Sequence, residues 1–151
     1  MLAIALAAWA AGPALAGGSD KPVKYRAQLV WGTNGQKPDR PLKAVSPEVR
    51  EFLGRVFKWR DYWEVSVKTA EIPPHGMVAL DMSDECRFEI RRLENHLVEV
   101  QLVGKGRSVF KQRQRLPPGE KFIVGGDSKL ENAWFVVVTA EDPKARPAGA
   151  K

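Results

Sequence analysis

One cysteine and two histidines in 151 residues leave little material for most site chemistries. A single cysteine excludes a disulfide framework within the chain, and with only two histidines a zinc site of His and Cys has too few ligands. No apolar run approaches the ~20 residues that a spanning helix needs. The strained Gly-x-Ser-x-Gly elbow of a serine hydrolase is missing. The phosphate-loop signature is missing too, because strand-like sequence rather than a helix follows Gly104-Lys105-Gly106 and Gly125-Gly126. These glycines serve turns that need positive φ. Asp81, Asp84 and Glu85 lack the ordered ligand spacing of an EF-hand and read as a solvated hairpin end. His75 and His96 fall in turns with no catalytic partner in their pattern. No cofactor and no metal is implied.

What remains is an ordinary globular composition, 44% hydrophobic and 28% charged, at a length suited to one domain. The first sixteen residues read as a secretory signal. Leu2 to Ala11 is an uncharged apolar run, Gly12 and Pro13 break it, and Ala14-Leu15-Ala16 offers small residues for cleavage before Gly17. The basic residue that usually precedes such a run is absent. The expected destination is periplasmic or extracellular, and no integral membrane segment is expected. A mobile leader over 17–22, a single β-rich domain over 23–141 and a disordered tail over 142–151 complete the expected organisation.

From Val23 the chain alternates. Val23, Tyr25, Ala27, Leu29 and Trp31 share one face, and Lys24, Arg26 and Gln28 the other. A loop follows over Gly32 to Pro41. Ser46 as N-cap and Pro47 at the first helical position predict a helix over 46–57, with Val49, Phe52, Leu53, Val56 and Phe57 as its apolar stripe. Seven strand-like runs follow, separated by turn signals every 8–12 residues or so. Ala133 to Val138 is apolar on both faces and belongs in the middle of a sheet. Gly125 to Asn132 reads as a loop. The fold class is therefore mainly β: an antiparallel sandwich or small barrel of six to eight strands, with one helix between the first two. The expected core is Tyr25, Ala27, Leu29, Phe52, Leu53, Val56, Val65, Val67, Phe88, Ile90, Val100, Trp134 and Val136. Cys86 alternates with Phe88 and Ile90, which predicts burial as a small apolar residue rather than a pairing between chains.

Charge supplies the one surface pattern. The chain carries a net +6. Lys105, Arg107, Lys111, Arg113 and Arg115 fall within eleven residues that contain no acid. In a strand, Lys111, Arg113 and Arg115 project together, with Val109 on the same parity. Such a face suits an anionic partner, or blocks edge-to-edge pairing. Trp59 lies among Phe57, Lys58, Arg60, Tyr62 and Trp63, where an exposed indole beside cations can stack on sugar rings or bases.

Trp31-Gly32-Thr33, the stretch Phe57 to Val65 and Ala133-Trp134-Phe135-Val136 together resemble a group of small, uncharacterised secreted bacterial proteins. The resemblance spans most of the chain after residue 16 and implies no activity. The expected function is an exported, non-catalytic binding or assembly module. Its partner is an anionic envelope polymer met by the basic strand, or a protein that adds a strand to an exposed edge. No specific nucleic acid is expected. The alternative is a hydrolase of cell-envelope polymers, which requires carboxylates gathered in one cleft with separated pKa values.

Overall fold

The computed structural model describes residues 21–35, 38–129 and 132–143. The expected signal over 1–16, the leader up to residue 20 and the tail from 144 lie outside the described residues. Among the described residues are nine strands and one helix: β1 (Val23–Thr33), β2 (Lys43–Ala44), α1 (Pro47–Gly54), β3 (Asp61–Ile72), β4 (Met77–Asp81), β5 (Cys86–Arg92), β6 (Leu97–Gly104), β7 (Arg107–Arg115), β8 (Lys121–Lys129) and β9 (Asn132–Ala140). β2 has only two residues, so eight strands carry the architecture. The helix sits between the first two of these. All pairings are antiparallel. One sheet has the order β2-β3-β1-β9-β8 and the other is the meander β4-β5-β6-β7. The sheets do not close into a barrel and form a sandwich.

Alternation in the strands builds two cores. Tyr25, Ala27, Leu29, Val136 and Val138 of the five-stranded sheet meet Phe88, Ile90, Val98, Val100 and Leu102 of the meander in the inter-sheet core. Val30, Ala133, Phe135 and Val137 point the other way and are covered by Val49 and Leu53 of α1, with Tyr62 and Val45 beside them. The five-stranded sheet is thus buried on both faces, which explains the unbroken apolar run of β9. Gln28 lies on the face opposite Leu29, as alternation implies, and there it is buried on the helix side and donates to Glu64 at 2.6 Å.

The helix is shorter than expected. Ser46 Oγ accepts from the Val49 N–H at 3.3 Å, as a cap should, but the helical span ends at Gly54. The N–H groups of Val56 and Phe57 both donate to the Leu53 carbonyl. Phe57 then tilts onto Phe135 at 4.3 Å between ring centroids. This turn leaves Val56 66% exposed, outside the core where periodicity places it. Glu48 accepts from Lys121 of β8, and that ammonium also lies 5.6 Å from the Phe52 ring centroid. Phe52 itself is half-buried.

Three local features depart from simple alternation. In β3 the register against β1 skips Val65, so Ser66 faces the inter-sheet core beside it, its hydroxyl donating to the Met82 carbonyl at 2.6 Å. Val67 consequently lies opposite Gln28, half-buried on the helix side. β8 runs through Gly125 to Lys129 where a loop was expected, with an irregular register between Gly125 and Ser128. Gly32 is required by close approach: a Cβ there would lie 2.9 Å from the Trp59 ring and 3.0 Å from Phe135.

Candidate functional site

Two surfaces carry the chemistry, and they lie on different parts of the sandwich. The first is the outer face of the meander. Among the described residues β7 is an edge strand, paired only with β6. Its register sets Lys111 opposite Gln101, Arg113 opposite Glu99 and Arg115 opposite Leu97, so the three cations share one solvent face. All three are exposed. The alternation from Lys111 onward is therefore as the sequence implies. Val109 differs: the register shift near Leu102/Val103 skips it, and it stands 54% exposed. The turn before it, Lys105-Gly106, has φ of 51° and 75°, a two-residue hairpin connection.

Glu99 modifies this basic face. Its carboxylate oxygens lie 3.6 Å from Lys111 Nζ and 3.0 Å from Arg113 Nε. Hydrogen bonding to Arg113 holds the Glu99 carboxyl below its ordinary range, with Lys111 adding to the effect. Arg87, Glu89 and Arg91 of β5 share the outer face with Asp81 of β4. The surface is mixed in sign with a surplus of cations. Arg107 is exposed at the start of β7, whereas Lys105 belongs to the second surface.

That second surface is an open cleft of about 790 Å³ at one end of the sandwich. Trp134, Val65 and Leu102 form apolar wall, and Arg40, Lys105, Asp84 and Glu85 supply charge. Trp134 sits opposite Trp31 on β1, and Trp31 sits opposite Trp63 on β3. Cross-strand partners share a face, so three indoles stand in a row across β3, β1 and β9. Trp31 and Trp134 stack with centroids 6.1 Å apart and planes at 19°. Trp134 is 41% exposed, which corrects its expected place in the core: at this end the meander no longer covers the sheet. Trp63 lines an adjoining cleft of about 680 Å³ that also contains Arg40. Its Nε1–H is buried without an acceptor among the described residues.

Trp59, which the sequence offers as a stacking indole beside Lys58 and Arg60, lies on the helix side of the five-stranded sheet. It is half-buried against the helix-side core, and its backbone N–H donates to the Tyr62 hydroxyl at 3.3 Å. The structure does not bring it to β7. The tryptophan row escaped sequence reasoning because Trp31 and Trp134 are neighbours only through the non-local β1–β9 pairing.

Cys86 is half-buried at the cleft wall, not enclosed in the core. Burial pushes its thiol above the ordinary value. Burial also raises the phenols of Tyr25, where Arg92 partly opposes the shift, and Tyr62. The native state therefore keeps these protons at pH values where the unfolded chain releases them. The stability they contribute is present below about pH 8.5 and is lost as pH rises through the higher native values. Urea midpoints are expected to hold between about pH 7 and 8 and to fall steadily above about pH 9. In Cys86→Ala the earliest part of that fall should disappear.

Among the described residues, no group of three or more His, Cys, Asp or Glu side chains is placed to hold a metal. His75 and His96 both take positive φ in turns, with His75 Nε2 3.9 Å from Glu94. Glu48 and Glu99 are both held low by cations, the opposite of what a general acid requires. No helix among the described residues is long and apolar enough to cross a membrane. No known family matches the chain, and neither does any curated protein or any solved structure.

Proposed function

We propose that this domain is an exported, non-catalytic binding module that meets an anionic envelope polymer through the outer face of β7. One observation carries the reading: Lys111, Arg113 and Arg115 stand exposed on one face of an edge strand. A polymer with repeated negative charge meets several cations at once there. Glu99 orients two of the three and lowers the net attraction. Binding of this kind is weak and sensitive to salt, since the screening length falls from about 10 Å at 0.1 M to about 3 Å at 1 M.

Retention on dextran sulfate beads across a salt gradient tests it. Lys111→Ala/Arg113→Ala/Arg115→Ala is expected to elute well before the wild type, and Glu99→Gln after it. Lowering the pH through the Glu99 titration should also strengthen wild-type retention, and Glu99→Gln should lack that extra gain. Because its cations hold Glu99 low, the gain should begin only below the ordinary carboxylate range. Co-elution of the triple variant with wild type would reduce the basic face to edge protection. The edge position of β7 also favours a second reading, strand addition by a protein partner. Such a complex would survive high salt.

A further inference from the structure

We propose that the cleft at the end of the sandwich is a saccharide site, in which the open face of Trp134 stacks on a β-linked, uncharged pyranose chain. This site is separate from the outer face of β7 and does not depend on its role. The first argument is the state of the indole. Trp134 is stacked on Trp31 by one face, yet it is 41% exposed at the cleft. A large aromatic left open beside a cleft of small-molecule size is a ready platform for a flat apolar surface.

The second argument is the balance of charge. Arg40 and Lys105 stand with Asp84 and Glu85 in the same lining, two cations against two carboxylates. An acyl chain has no use for four charged groups, and a polyanion would be repelled by half of them. A sugar uses both kinds. Its hydroxyls donate to carboxylates and accept from cations, while its C–H face lies on the ring. Pyranoses whose substituents are all equatorial leave both C–H faces flat, which favours β-linked glucose or N-acetylglucosamine.

The test titrates the purified protein with cellohexaose and chitohexaose, following tryptophan fluorescence and the rate of Cys86 alkylation. Cys86 lines the same cleft, so an occupied site should slow its labelling. Saturable binding of at least one hexasaccharide is expected, with protection of Cys86. Trp134→Ala should weaken binding about tenfold, the scale of one stacked ring, and Trp134→Phe less. Asp84→Asn/Glu85→Gln should weaken it without altering the fold. The β7 triple variant should bind the sugar as wild type does, so the two surfaces are told apart. Absence of saturable binding to either hexasaccharide overturns the proposal, as does wild-type affinity in Trp134→Ala. Cleft occupancy by decanoate with no response to either sugar would assign it to an acyl chain instead.

Discussion

Replacing Arg92 by alanine is expected to cost about 3 kcal/mol, on the scale of two hydrogen bonds from a charged donor. Arg92 is 7% exposed. Its Nη1 donates to the Lys21 carbonyl at 2.8 Å and to the Ile72 carbonyl at 3.1 Å. Lys21 precedes β1 and Ile72 ends β3, while Arg92 itself ends β5. One guanidinium therefore ties the five-stranded sheet to the meander at the edge of the inter-sheet core. Its own backbone N–H is bonded to the Gly76 carbonyl at 2.9 Å, which fixes where the side chain starts. Alanine removes the donor and the packed stem together. Arg92→Met keeps most of the stem, so the difference between the two variants separates packing from hydrogen bonding. The melting temperature should fall by roughly 10 °C in the alanine variant. The field of Arg92 also lowers the Tyr25 phenol against the larger effect of burial. In Arg92→Met the tyrosinate transition should move further toward alkaline pH, a readout that lost packing alone would not produce.

In the sequence only parity separates Arg92 from Arg91. The two are neighbours in a run of alternating residues, and alternation puts Arg92 on the same side as Phe88 and Ile90. An arginine on a core face is worth reading as a candidate buried donor, but its acceptors lie 71 and 20 residues away and cannot be seen locally. The same distinction runs through the whole molecule. Period-two patterns assign a residue to a face, and they did so correctly for Tyr25, Phe88, Val100 and Lys111. They do not say whether the opposing layer reaches that far. Trp134 has the parity of Val136, yet Val136 is covered and Trp134 stands beyond the cover. Helical periodicity failed at Val56 for a related reason. It extends a stripe past the point where Gly54 and the turn onto Phe135 end the helix. The bulges at Val65 and Val109 were also invisible, since a skipped residue leaves its polarity pattern intact over short windows. The basic face was legible because it depends on three alternate residues of one strand. The tryptophan row was not, because it depends on three strands distant in sequence.

A contrast between two apolar residues tests this division most sharply. Phe88→Ala is expected to destabilise the domain by about 3–5 kcal/mol, and Val56→Ala by no more than about 0.5 kcal/mol. Phe88 is fully buried on β5, opposite Leu80 on one side and Leu102 on the other. It faces the inter-sheet core that holds Leu29, Val100 and Val136. Truncation removes a ring's worth of burial and leaves a space that two hydrogen-bonded sheets cannot close without bending. A domain of this size has about 5–15 kcal/mol to lose, so the variant should melt early and unfold partly at moderate temperature. Val56, 66% exposed beyond the end of α1, loses little contact when shortened. Denaturant midpoints with unchanged slope measure both differences under identical conditions. Equal and large losses at both positions would mean that the chain beyond Gly54 packs as an extension of the helix, contrary to the turn observed at Leu53.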